Sequence, residues 1–133
     1  MDTVSRIIGP IYVSSWEGAK NFDGDVIFVH HDIQWYVKGL HIPLLKVRPN
    51  STEDRSGAKV NPRNLDLILW YITEHFVNRQ RLLIHCKGGV ERSPLCVATW
   101  LREYKNRTLD EAYQYIKQKR PIVEDRRNWL NGY

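Results

Sequence analysis

The sequence predicts an α/β fold, a single three-layer domain in which a short, mostly parallel central sheet is flanked by helices. Three observations carry this expectation. Short apolar and β-branched runs alternate with segments of helical period. Two of those helical segments open on a capping residue followed by proline. A glycine-containing loop joins the last apolar run to a helix that is apolar on nearly every side. The 133 residues are enough for one domain with a real core, spanning 1–133, and too few for two.

Ile7-Ile8-Gly9-Pro10-Ile11-Tyr12-Val13 reads as a short strand or hairpin interrupted by Gly-Pro. Val26-Ile27-Phe28-Val29 is a continuous β-branched and aromatic run, as expected of a strand buried on both faces. Leu40 to Leu45 is a further expected strand, although Pro43 removes a backbone donor and favours an edge or an early end. The polar, turn-rich stretch from Arg48 to Gly57 is a loop. Asn61 and Pro62 then read as N-cap and first helical residue. Leu65, Ile68, Leu69, Ile72 and Phe76 recur at helical spacing and predict an amphipathic helix to about Asn78. Arg81-Leu82-Leu83-Ile84 returns to strand. After the glycine loop, Ser93-Pro94 repeats the cap-plus-proline pattern. Leu95, Cys96, Val97, Ala98, Trp100 and Leu101 predict a buried central helix to about Lys105. Thr108-Leu109-Asp110-Glu111 has the form of a capping box for a helix ending before Pro121, and a last short helix is expected around Arg126 to Leu130.

Composition narrows the classes. Hydrophobic residues make up 42% and charged residues 26%, ordinary globular usage. No stretch approaches the roughly 20 apolar residues that a membrane span needs, and the opening Met1 to Arg6 lacks a secretory layout. A cytoplasmic location is therefore expected, with the nucleus as the alternative in a eukaryote. The two cysteines, Cys86 and Cys96, suit a reducing compartment better than a disulfide framework. The scattered histidines form no ligand pair with cysteine at finger-like spacing, so no metal is expected. Net charge is +5. That suits an anionic partner, although a basic solvated surface would look the same.

His85-Cys86-Lys87-Gly88-Gly89-Val90-Glu91-Arg92-Ser93 carries the chemistry. Cys86 lies between a strand and a helix N-terminus, where unpaired backbone N–H groups and the helix dipole favour an anion. The same field draws a thiol toward thiolate. Gly88 and Gly89 permit positive φ, which lets consecutive N–H groups form an anion nest. Arg92 offers a planar fork matched to two phosphate oxygens. Five residues between Cys86 and Arg92 let the loop curl so that both face one phosphorus. Val90 completes the cradle. Lys87 either adds positive potential at the mouth or is a solvated loop residue. Ser93 would cap the helix. Cys96 sits on the apolar helix and reads as core packing.

His-Cys-x5-Arg-Ser resembles the signature of the protein tyrosine phosphatase superfamily. The chain resembles its compact dual-specificity branch in Ile11-Tyr12-Val13-Ser14-Ser15, in Leu82 to Cys86, in Arg92-Ser93-Pro94 and in Lys119-Arg120-Pro121-Ile122-Val123. The resemblance implies a phosphatase-like fold and hydrolysis through a phosphocysteine. Cys86 would attack phosphorus, Arg92 would bind substrate and transition state, Ser93 would help the thiolate leave, and His85 would order the loop through hydrogen bonds. No cofactor is implied. The family's general acid is an aspartate roughly thirty residues before the cysteine. Asp54, 32 residues upstream, is the candidate, with its neighbour Glu53 as substitute. Asp66 falls inside the helix and Asp32 reads as a turn residue. One position departs from the family pattern: Glu91 stands where small residues are usual. An inward carboxylate would repel phosphate, so Glu91 is expected to point away and pair with arginine or lysine on a neighbouring segment.

The expected substrates are phosphotyrosine and phosphoserine or phosphothreonine in proteins, met by a monomer. No aromatic-bearing loop that would deepen the cleft is visible. Arg48, Arg55, Lys59, Arg63 and Lys87 are expected around the mouth. RNA 5′ ends and phosphoinositides are alternatives within the branch. A phosphate-binding module without turnover is the alternative of another class, and a rhodanese-type sulfur carrier is a weaker one.

Overall fold

The apolar runs become the inner strands of a five-stranded mixed sheet. The structure, a computed structural model, describes residues 4–31, 39–52 and 55–133. β1 (Ser5–Ile8) and β2 (Ile11–Ser14) form an antiparallel hairpin, turning at Gly9 and Pro10. A short helix α1 (Trp16–Ala19) follows, capped by the Ser15 hydroxyl, and then β3 (Asp25–Phe28). β7 (Leu82–His85) lies at the centre of the sheet, between β2 and β3, and pairs in parallel with both. All four β7 residues are buried, as a strand covered on both faces requires.

Pro43 decides the fate of the run from Leu40 to Leu45. The expected single strand is two, in different sheets. β4 (Leu40–His41) pairs with β3, whereas β5 (Leu45–Val47) pairs antiparallel with β6 (Lys59–Val60) in a separate ribbon. Between them the backbone still tracks the end of β3, with Ile42 N–H donating to the Phe28 carbonyl and Leu44 N–H to Val29. Proline cannot supply the ladder donor at the intervening position.

α2 (Pro62–Asn78) begins where the cap signature places it, and the Asn61 side chain accepts from the Asn64 N–H at 3.1 Å. α3 (Arg92–Tyr104) and α4 (Leu109–Lys119) follow, the latter with both arms of the capping box made by Thr108 and Glu111. The last segment is a 3-10 turn at Arg127–Leu130. Leu65, Ile68 and Ile72 of α2 bury against Leu95, Trp100 and Leu101 of α3 and the sheet residues Ile11, Val13 and Ile84. Each such aliphatic side chain contributes about 1.5–3 kcal/mol by leaving water. The Trp100 indole is fully enclosed because its N–H finds the Thr73 hydroxyl at 3.0 Å. Ala19, Phe22, Val26 and Leu83, with Tyr12 packed against them, form a smaller cluster. Among the described residues no helix is long and apolar enough to cross a membrane.

Candidate active site

Every strand-to-helix loop must account for its backbone polar groups, and the loop between β7 and α3 does so in an unusual way. Four successive carbonyls are taken up from outside. Trp16 N–H donates to Lys87 O at 3.3 Å, and Glu124 N–H donates to Val90 O at 2.9 Å. Between them the guanidinium of Arg120 donates to Gly88 O at 3.2 Å and to Gly89 O at 2.8 Å. Its third nitrogen reaches the Ser5 hydroxyl at 3.0 Å. Arg120 is 2% exposed. In a trans peptide the N–H points opposite to the C=O, so turning these carbonyls outward aims the N–H groups of residues 88–91 inward, as an anion nest.

Of the two glycines, one alone requires its freedom. Gly89 has φ +66°, and a Cβ there would meet the Ser14 backbone carbon at 2.6 Å and Arg120 Nη2 at 2.7 Å. Gly88 does not adopt positive φ, and its hypothetical Cβ would meet nothing nearer than Val90 Cγ2 at 3.4 Å. The expectation that both use the left-handed region is therefore corrected to Gly89.

Cys86 is buried, and its Sγ lies 3.3 Å from the Ser93 hydroxyl. This contact also corrects the reading of Ser93 as a helix cap. α3 begins two residues earlier than expected, at Arg92, with Glu91 at the N-cap and no side-chain cap bond. Ser93 is inside the first turn, where its hydroxyl faces back to the thiol. Arg92 is 4% exposed. Its Nη2 donates to His31 Nδ1 at 3.3 Å, and its buried Nε has no hydrogen-bond partner among the described residues. Burial lowers the Arg92 pKa from its ordinary value, and the charges of Cys86 and Glu91 act in the opposite direction. The guanidinium stays charged at any working pH. Cys96, by contrast, is wholly enclosed, and burial pushes its thiol pKa far up.

Cys86, Lys87, Gly88, Val90, Glu91 and Arg92 line one pocket of about 670 Å³. Arg48 and Arg55 join them as expected, whereas Lys59 and Arg63 lie outside the lining. The sequence reading missed His30, His31, Glu124 and Arg126, which also line it. It missed Arg120 and Trp129 as well. Arg120 lies in the Lys119-to-Val123 segment that carries the family resemblance, but no local signal ties it or the others to the loop, because they come from distant segments. His85 is buried, with its ring stacked on Phe28 at 4.8 Å. Asp54 and Glu53, the candidate acids, lie outside the described residues, as does Asp32. Asp66 is on α2, where its carboxylate accepts from the Tyr133 hydroxyl. Among the described residues no group of three or more His, Cys, Asp or Glu side chains converges as a metal site would.

Glu91 lines the pocket wall and, as expected, is paired with arginines of neighbouring segments. Its Oε2 accepts from Arg55 Nε at 2.7 Å and from Arg126 Nε at 2.8 Å. Beneath these groups lies Trp129, whose ring centroid is 6.0 Å from the Arg55 guanidinium carbon, 5.7 Å from that of Arg126 and 5.8 Å from that of Arg92. The Trp129 indole N–H also donates to the Arg55 carbonyl at 3.0 Å.

A cysteine, an arginine and a nest of N–H groups at the C-terminal end of a central parallel strand define an α/β protein with a cysteine loop whose chemistry suits an anion. More specifically, the chain belongs to the dual specificity phosphatase catalytic domain family, whose pattern matches residues 34–131. Dual specificity protein phosphatase 5 of Rattus norvegicus is 44% identical over 43 residues, which is 32% of this chain and 11% of that protein. Dual specificity protein phosphatase 16 of Homo sapiens is 30% identical over 66 residues, 50% of this chain and 10% of that protein. The chain thus spans about a tenth of these relatives' length. Among solved structures, human DUSP28 superposes with a TM-score of 0.74 at 17% identity, covering 96% of this chain and 88% of that one. Tk-PTP in its active form gives 0.67 at 25% identity, with 95% and 90% covered.

Proposed function

We propose that this chain hydrolyses phosphate monoesters on proteins, accepting phosphotyrosine as well as phosphoserine and phosphothreonine, through a phosphocysteine at Cys86. One observation carries the reading. The Cys86 thiol and the Arg92 guanidinium share one pocket wall, and the buried Arg92 Nε has no hydrogen-bond partner among the described residues. A phosphate oxygen is the acceptor that such a donor suits.

In the first step the Cys86 thiolate attacks phosphorus, the P–S bond forms and the P–O ester bond breaks. The departing oxygen takes a proton from Asp54. The N–H groups of residues 88–91 and the fork of Arg92 hold the three equatorial oxygens as charge shifts onto them. In the second step water attacks phosphorus, loses its proton to Asp54, and the P–S bond breaks. Ser93, 3.3 Å from Sγ, donates a hydrogen bond to the sulfur and stabilises the thiolate as it re-forms. Tolerance for aliphatic as well as aromatic esters is supported by the lining: its described residues include no Phe, Tyr or Trp that would clasp a phenyl ring.

Rapid mixing with p-nitrophenyl phosphate tests the scheme. A burst of p-nitrophenol is expected, and Cys86→Ser should abolish it and lower turnover by more than about a thousandfold. Asp54→Asn should slow phosphotyrosine-peptide turnover by about a hundredfold or more, and p-nitrophenyl phosphate less, because p-nitrophenolate leaves without a proton. Equal rates for wild type and Cys86→Ser would refute the reading.

A further inference from the structure

The pocket is lined by more cations than a single phosphate group needs. Arg48, Arg55, Lys87, Arg92 and Arg126 all face it, opposed by the carboxylates of Glu91 and Glu124. Glu91 decides how many of these charges are available. Its single oxygen Oε2 holds both Arg55 and Arg126 through Nε. The side chains of Glu91 and Arg126 are each 16% exposed, so solvent screens that pair less than it would a surface pair, whereas Arg55 is 34% exposed and more screened. The two guanidinium groups converge on one atom, and they would repel each other without an anion between them. Trp129 supports both from below and fixes the Arg55 backbone through its indole N–H.

We propose that Glu91 is a specificity-determining residue. By occupying Arg55 and Arg126 it keeps the pocket to one phosphate group and disfavours ligands that carry several adjacent phosphates. This rests on the pocket being the phosphate site, as proposed above. With a small residue at position 91, the same two arginines would form a ready clamp for a second or third phosphate beside the one on Arg92. The carboxylate therefore acts as an internal competitor. It offers the two arginines an intramolecular anion that any additional phosphate must displace.

Calorimetric titration of the Cys86→Ser protein at fixed salt, with orthophosphate and with inorganic tripolyphosphate as probes, tests this without requiring turnover. Adding Glu91→Gln, which keeps size and removes charge, should tighten tripolyphosphate by about tenfold, the equivalent of one further charge-assisted hydrogen bond. Orthophosphate should tighten by less than about threefold. Equal factors for the two anions, or no change in either, would overturn the proposal while leaving the phosphate site intact. Failure of every variant to bind either anion would overturn both readings. Should Glu91→Gln not fold, Arg126→Gln in the Glu91-containing protein serves instead. It should weaken tripolyphosphate by less than about twofold, since Glu91 already occupies that arginine. A tenfold loss there would overturn the proposal.

Discussion

Gly88 and Gly89 are neighbours of the same residue type in the same loop, yet alanine should be far more costly at Gly89 than at Gly88. At Gly89 the backbone is left-handed, with φ +66°, which costs an L-residue about 1–2 kcal/mol. The added methyl would also sit 2.6 Å from the Ser14 backbone carbon and 2.7 Å from its carbonyl oxygen. Neither can rotate away, and overpacking of this kind costs about 1–3 kcal/mol. The methyl further lies 2.7 Å from Arg120 Nη2, so the guanidinium must give up part of its hold on the loop carbonyls. Together these terms give a loss of roughly 3–5 kcal/mol for Gly89→Ala. Gly88→Ala should cost less than about 1 kcal/mol, since its methyl meets only Val90 Cγ2 at ordinary contact distance. Urea unfolding followed by tryptophan fluorescence measures both. The midpoint should fall steeply for Gly89→Ala at unchanged slope, and orthophosphate affinity should fall with it. Equal effects at the two positions would refute the loop geometry, and with it the role assigned to Arg120.

Two further outcomes follow from the placement of titratable groups. Iodoacetamide at neutral pH should label Cys86 and spare Cys96, whose pKa is driven up by complete burial. Peptide mapping after reaction in urea should then find both modified, and orthophosphate should protect Cys86 in the folded protein. In acid, Glu111 and Asp125 set part of the stability limb. The Thr108 backbone N–H holds the Glu111 carboxyl below its usual range. Burial alone would raise Asp125, but hydrogen bonds from Arg127 outweigh it and the net shift is downward. A carboxylate with a depressed folded-state pKa stabilises above its unfolded value and loses that contribution as pH falls through the folded one. Thermal melts should therefore show stability lost below about pH 4, with a shallower limb in Glu111→Gln and Asp125→Asn. Identical limbs in wild type and both variants would count against these contacts.

The elements most legible in the sequence were those whose cause is local. Asn61-Pro62 starts α2 and Thr108 with Glu111 starts α4, because a cap and its partner lie within one turn. The β7 run was legible because a strand covered on both faces has no polar alternation to obscure it. Ser93-Pro94 misled for a related reason. Proline is tolerated throughout a first helical turn, so its presence fixes the start of a helix to within a turn and not to a residue. Leu40 to Leu45 misled because Pro43 interrupts pairing without interrupting the apolar pattern. The site divides in the same way. Cys86, Arg92 and Ser93 are close in the chain and are forced together by one loop. Arg120, Arg126, Trp129 and His31 reach that loop from other segments, and only the three-dimensional packing brings them there. Glu91 stood out as a departure from the family pattern, and its two partners explain how a carboxylate is accommodated at that position.

The hold of Arg120 on the loop between β7 and α3 has a kinetic corollary. One of its nitrogens binds Ser5, 115 positions away, while the others bind Gly88 and Gly89. The cysteine, the glycines and the arginine of the loop are all synthesised well before Arg120 leaves the ribosome. A nascent chain stopped in between would carry the whole reactive segment with only the Trp16 N–H to turn its carbonyls outward. Competence to bind phosphate should therefore require synthesis through Arg120 and Glu124, so that the thiol gains its anion-binding surroundings at the point where the pocket wall is complete.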